Sequence, residues 1–271
     1  MIVTTTLTIA AIGLVCAALL AFAERKFGVK TDEKTASAEA ALPGANCGGC
    51  GYPGCAGYAE AVALRDAPLN KCGPGGQAVA EALARITGRD AGVSEPRTAV
   101  VRCGGGNVSA KRKSDYNGIS DCGAAALVAG GWKECAHGCL GFASCARICP
   151  NGAIDMVDGV AVVNPAHCGG CGMCAAKCPR ALITIIPRAH RAHILCNSPD
   201  KGAAVMKVCS RGCIGCGICV KTSGGATLKM NGFLAVTDYA QAPLTDDAAN
   251  AAIAKCPKKC MAFAAGETEK K

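Results

Sequence analysis

The 271-residue sequence predicts an α+β chain built from several small units. It should begin with an N-terminal transmembrane helix. A small, Gly-rich, mostly helical unit follows, and then modules made of β-hairpins and short helices. Three observations lead there. Residues 2–23 carry no charge. Most of the 22 cysteines fall into tight groups separated by two or three residues. The hairpin dipeptides Asp158-Gly159 and Asn231-Gly232 stand at matching places among those groups. With one Trp, four Tyr and five Phe against 35 Gly, no single large core is expected.

The first element is the uncharged run. As a helix it would span about 33 Å, near the thickness of a bilayer core. Arg25, Lys26 and Lys30 follow it and nothing basic precedes it. The positive-inside rule then puts the soluble part on the cytoplasmic side of the inner (cytoplasmic) membrane, with one pass. A cleaved signal peptide is the competing reading, because Ala21-Phe22-Ala23 resembles a cleavage site, but the basic leader segment is missing. Residues 1–24 are therefore expected to be the anchor and 25–42 a linker.

So many cysteines mean either a disulfide scaffold or metal ligation. Tight, regular spacing favours thiolates converging on an inorganic core. The formal charge of +9 counts those cysteines as neutral. A [4Fe–4S] cluster on four thiolates carries about −2, so several clusters remove most of the excess. No aromatic-rich basic patch accompanies it, and no nucleic-acid partner is expected.

In the first soluble unit, 43–95, Cys47, Cys50 and Cys55 crowd the Gly-rich loop Asn46-Cys47-Gly48-Gly49-Cys50-Gly51-Tyr52-Pro53-Gly54-Cys55. Cys72 lies in a turn between Ala-rich helices expected at Ala56–Arg65 and Gln77–Ile86. Three close ligands plus one distant one suit a cubane better than the paired knuckles of a zinc site. A connecting segment is expected at 96–132.

The clearest motif is Cys168-x2-Cys171-x2-Cys174-x3-Cys178-Pro179, the bacterial ferredoxin run, whose fourth cysteine serves the other cluster. Its upstream partner is Cys135-x3-Cys139-x5-Cys145-x3-Cys149-Pro150, with Phe142 at the usual second-ligand position and Cys135 as the expected substitute. Crossed ligation gives one cluster on Cys135, Cys139, Cys145 and Cys178, and another on Cys149, Cys168, Cys171 and Cys174. With the hairpin at Ile154–Val163 and a strand at Leu182–Ile186, residues 133–190 form a two-cluster ferredoxin-like module.

A degenerate copy is expected at 191–264. One cluster would sit on Cys213, Cys216, Cys219 and Cys260, with Cys209 and Cys256 as further candidates. Ser223 stands where the crossing cysteine would be, and Asp246–Lys255 reads as a helix. A charged tail, 265–271, ends the chain. The count is thus about four [4Fe–4S] clusters, with an additional one left open among Cys103, Cys122, Cys196, Cys209 and Cys256. Cys16 reads as inert packing. His190 and His193, among Arg188 and Arg191, read as a solvated face. No nucleotide loop, flavin motif or nucleophile–base pair is present, so the chain should have no substrate site of its own and should carry electrons.

The chain resembles the B subunit of the Rnf electron-transport complex over nearly its whole length. The resemblance rests on the single N-terminal helix, the 46–55 loop, Asp121-Cys122-Gly123-Ala124-Ala125, the run from Cys135 to Pro150, and Cys196-Asn197-Ser198-Pro199-Asp200-Lys201-Gly202. It implies a component of an ion-translocating ferredoxin:NAD oxidoreductase, coupled to Na⁺ or H⁺ movement. Ferredoxin would be the soluble electron donor and the other membrane subunits the partners, with NAD and flavin held elsewhere. A polyferredoxin subunit of another membrane oxidoreductase, such as a hydrogenase, and a module with a purely structural metal are the alternatives.

Overall fold

The computed structural model describes residues 2–27 and 32–264. Residues 28–31 of the expected linker and the tail at 265–271 lie outside the described residues. Helix α1 covers Ile2–Phe27. Among the described residues, no helix is long and apolar enough to cross a membrane. This corrects the expectation of a transmembrane anchor at 1–24. Thr4, Thr5, Thr6 and Thr8 dilute the start of α1 and Glu24-Arg25-Lys26 close it. The uninterrupted apolar stretch, 9–23, is about 22 Å long, short of the roughly 30 Å that a span needs.

The first soluble unit is helical. Helix α2 (Glu33–Ala41) occupies much of the expected linker. It is no free connector: Thr35, Ala38 and Leu42 recur along one side and are buried. Ala38 and Leu42 pack in the same cluster as α3 (Gly54–Leu64) and α4 (Gly76–Thr87). Tyr58 fixes the turn between α3 and α4. Its hydroxyl donates to the Pro68 carbonyl at 2.7 Å and accepts the Lys71 N–H at 3.3 Å.

Two modules of like plan follow. The first runs β1 (Arg97–Val101), α5 (Cys122–Leu127), α6 (Ser144–Arg147), β2 (Ile154–Val157), β3 (Val160–Val163), α7 (Met173–Lys177) and β4 (Ile183–Pro187). The second runs β5 (Ala192–Ile194), α8 (Gly202–Val208), α9 (Ile218–Thr222), β6 (Leu228–Asn231), β7 (Leu234–Thr237), α10 (Asp246–Ala254) and β8 (Met261–Phe263). In each, a central hairpin forms one two-stranded sheet and the outer strands pair antiparallel, β1 with β4 and β5 with β8. The segment read as a connector, 96–132, therefore supplies β1 and α5 to the central module.

The hairpins differ by one position. Asp158 (φ +49°) and Gly159 (φ +70°) form the loop between Val157 and Val160, as a two-residue primed turn requires. In the second hairpin Asn231 pairs with Leu234, so the loop is Gly232-Phe233 with Gly232 at φ +59°. The histidines also differ from expectation. His190 and His193 are buried around Tyr239, whose hydroxyl lies 3.3 Å from His193 Nδ1. Burial, and then His190, hold His193 down to about 4. Their neighbours are charged but their rings pack inward, which residue type alone did not reveal.

The helical unit docks on the central module through glycines. A Cβ on Gly49 would fall 2.3 Å from the Cys171 carbonyl oxygen, and one on Gly73 would fall 2.9 Å from that of Gly169. Both neighbours are backbone and cannot swing aside. Gly49→Ala is expected to lower stability by about 1–3 kcal/mol through forced separation of the two loops. Denaturant unfolding of the two proteins measures it, and an unchanged midpoint would rule out this close docking.

Candidate iron–sulfur sites

The helical unit gathers its four cysteines around one loop. Asn46, at φ +46°, accepts the Cys55 N–H on Oδ1 at 2.8 Å and so closes the loop ahead of α3. Cys72 is buried and faces the sulfurs of Cys47, Cys50 and Cys55; burial first, and those neighbours after it, raise its pKa. Next to this loop stands Cys171, facing Cys47 as well as Cys149 and Cys168. Cys174 is pushed up to about 12 by burial and then by Cys168 and Cys171. Backbone amides point at these sulfurs: Ala153 N–H to Cys149 at 3.3 Å and Ala99 N–H to Cys168 at 3.3 Å. Such donors stabilise a thiolate or a cluster sulfur.

A second set lines a small cavity. Its cysteines are Cys122, Cys139, Cys145 and Cys178. Cys145 is pushed up to about 11, by burial first and then by Cys139, Cys122 and Cys178. Cys135, assigned to this set from the sequence, is not part of its lining. Cys122 lines it instead, facing Cys145. It is held there by Asp121, which caps α5 by accepting the N–H groups of Gly123 (2.8 Å) and Ala124 (3.1 Å). Ser144 Oγ donates to Asp121 at 2.7 Å and accepts the Cys122 N–H at 2.7 Å. The Ser144 bond, ahead of the others, keeps the Asp121 carboxyl below its usual range.

Cys135 lines a separate small cavity with Cys103, Cys196 and Cys209. A third cavity is lined by Cys213, Cys216, Cys219, Cys256 and Cys260. Five thiols there compete for four places. Cys256 and Cys260 have their sulfurs 3.7 Å apart. Cys260 is the more buried, and its thiol beside Cys213 holds the Cys213 pKa below the usual thiol range. Yet Cys256 is the counterpart of Cys178 in the repeat. Both precede Pro, and both lie five residues before the closing strand, β8 or β4. That Cys-Pro signal was available in the sequence.

Does an iron–sulfur core fit these sites? Among the described residues, no three Cys, His, Asp or Glu side chains converge tightly enough for one metal ion. In three of the groups the sulfurs instead line a cavity: Cys122, Cys139, Cys145 and Cys178; Cys103, Cys135, Cys196 and Cys209; and Cys213, Cys216, Cys219, Cys256 and Cys260. That spacing suits a many-atom core better than a single zinc.

Comparison with known proteins agrees with the chemistry. A family model described as a putative Fe–S cluster matches residues 42–74, the loop and turn of the helical unit. The chain is similar to the B subunit of the ion-translocating oxidoreductase complex of Methanosarcina acetivorans, at 36% identity over 93% of this chain and 95% of the relative. It is 40% identical to the B subunit of the proton-translocating ferredoxin:NAD(+) oxidoreductase complex of Clostridium ljungdahlii, over 91% of this chain and 87% of that one. The chain belongs to the Rnf B-subunit family. A third relative, the B subunit of the Na(+)-translocating ferredoxin:NAD(+) oxidoreductase complex of Acetobacterium woodii, is 38% identical over 74% of this chain and 61% of its own. As a member of the Rnf B family, the chain is an iron–sulfur, electron-carrying component of a redox translocase. The hydrogenase-type polyferredoxin is not favoured.

Between its cysteine groups, this Rnf B chain carries two inward-facing cations. Lys133 is 1% exposed, and its ammonium donates to the carbonyls of Gly105 (3.0 Å) and Gly159 (3.4 Å). Arg180 donates to the carbonyls of Cys135, Gly138 and Gly130. A buried ammonium held by two carbonyls and the face of the Trp132 ring, 5.1 Å from its centroid, is costly unless negative charge lies near, and the sulfurs of Cys103 and Cys139 are its neighbours. Lys133→Met is expected to lower the midpoint potential of the adjoining clusters by tens of millivolts, on the order of one partly screened charge. A redox titration followed by electron paramagnetic resonance reads it. An unshifted potential would mean that Lys133 only satisfies carbonyls.

Proposed function

We propose that this chain relays single electrons between ferredoxin and its partner subunits along a row of iron–sulfur sites. The observation that carries this reading is the adjacency of the cysteine groups. Gly49, in the Cys47/Cys50/Cys55/Cys72 loop, lies against the backbone of Cys171. On the far side of the Cys149/Cys168/Cys171/Cys174 group, Cys174 neighbours Cys145 of the next group. A bound [4Fe–4S] cluster would take up and release one electron at a time.

The residues then have separable roles. Cys47, Cys50, Cys55 and Cys72 hold the outermost site. Cys149, Cys168, Cys171 and Cys174 hold the next. Cys139, Cys145 and Cys178, with Cys122 in place of Cys135, hold a third. Cys213, Cys216 and Cys219, with Cys256 or Cys260, hold the site of the last module. The Ala153 and Ala99 amides would bias the Cys149/Cys168/Cys171/Cys174 site toward the more negative, reduced state, and the Gly-rich loops keep neighbouring sites close. The chain would sit on the cytoplasmic side of the membrane, held there by its partner subunits.

Anaerobic mixing of the purified chain with reduced ferredoxin is the direct test. Bleaching of cluster absorbance in the chain, with matching reoxidation of ferredoxin, is expected. Cys171→Ser should leave ferredoxin-driven reduction of the outermost site intact and slow that of the Cys145 site at least about tenfold, since the intervening relay is damaged. Equal reduction of all sites in the variant would overturn the proposed order.

A further inference from the structure

The cavity shared by Cys103, Cys135, Cys196 and Cys209 lies outside the four sites just described. It is built with unusual symmetry. Cys103 lies two residues beyond the end of β1 and Cys196 two residues beyond the end of β5. Cys135 precedes Cys139 by four positions, as Cys209 precedes Cys213. Each module thus contributes the same two cysteines, and neither module can complete the set alone.

The backbone closes the site in the same paired way. Gly104 N–H donates to the Leu195 carbonyl at 2.8 Å, binding the two strand-following loops together. Ala110 bridges Cys209, and Lys111 N–H donates to Val208 at 2.9 Å. Glycines make room for the sulfurs. A Cβ on Gly105 would stand 3.0 Å from Cys209 Sγ and 3.9 Å from Cys103 Sγ. One on Gly138 would stand 3.5 Å from Cys135 Sγ and 3.8 Å from Cys103 Sγ.

The donors to sulfur are matched as well. Cys103 Sγ accepts the N–H of Cys139 at 3.2 Å and that of Gly105. The backbone amides of Cys213 and Ser198 stand near Cys196 Sγ and favour its thiolate. In both modules the amide comes from a cysteine assigned to that module's own site. The cavity therefore lies between the Cys139 group, to which Cys103 is hydrogen-bonded, and the Cys213 group, which adjoins Cys196. Lys133, buried beside Cys103, supplies the positive charge that a cluster of thiolates would balance.

We propose that Cys103, Cys135, Cys196 and Cys209 hold a fifth [4Fe–4S] cluster, which joins the two modules and connects the last site to the rest of the row. The assignment rests on the electron-relay reading above and extends it. It also places 20 of the 22 cysteines in five groups of four, leaving Cys16 and one of the pair Cys256 and Cys260. In each transfer through this site, the Cys139-bound cluster loses one electron and the Cys213-bound cluster gains it, or the reverse, with no bond made or broken.

Native mass spectrometry with iron and sulfide analysis of the reconstituted full-length chain tests it without any variant. About twenty irons per chain are expected, at four per cubane. Cys196→Ser and Cys209→Ser should each give about sixteen, and Cys16→Ser about twenty. In the first two variants, ferredoxin should still reduce the central sites, while reduction of the last site slows at least about tenfold. A wild-type count near sixteen that does not fall in Cys209→Ser, or one zinc in place of four irons, overturns the fifth cluster. Failure of ferredoxin to reduce any site, with about twenty irons present, would instead overturn the relay and leave the fifth cluster standing.

Discussion

Everything in this chain turns on holding thiolates together where they repel one another. Burial and like-charged neighbours push Cys145 and Cys219 up to about 11 and Cys174 up to about 12. Empty, such sites keep their protons. A cluster must displace those protons and supplies the positive iron that makes four thiolates tolerable, so metal loading and folding are coupled. The protein's contribution is the set of amides and cations already aimed at the sulfurs.

The same constraint explains the thin conventional structure. Every sheet among the described residues has two strands, too few to be stable alone. The hydrophobic clusters are small and have cysteines among their members. Large side chains would hold the loops apart, and the glycines at Gly49, Gly73 and Gly105 are sites of backbone or sulfur approach that a methyl group would block. Close spacing of sites and a weak side-chain core are thus one design, with clusters serving as the cross-links.

Duplication supplies the rest. One plan, an outer strand pair around a central hairpin, is used twice. In the second copy Ser223 stands at the crossing position and α10 where a second ligand run would be. In the first, Phe142 stands at the second-ligand position and Cys122 lines the cavity. The cysteines that each copy carries ahead of its ligand run meet at the boundary between them.

Sequence alone determined the cluster chemistry, the helical first unit, the hairpins and the Cys47, Cys50, Cys55 and Cys72 group, because those signals are local: spacing, turn dipeptides and Gly-rich loops. It also led to a membrane span that the structure does not support, since an uncharged run counts threonines as apolar length. What only the tertiary structure decided was partnership over long separations. Cys122 and Cys135 both lie upstream of Cys139, and spacing favoured the nearer. The cap at Asp121 and the Ser144 hydroxyl turn the farther one into the cavity. Cys103 and Cys196 stand far apart in the chain, share no motif and look like lone cysteines. They meet because β1 and β5 end side by side, joined by the Gly104–Leu195 hydrogen bond, a fact of packing that no local pattern encodes.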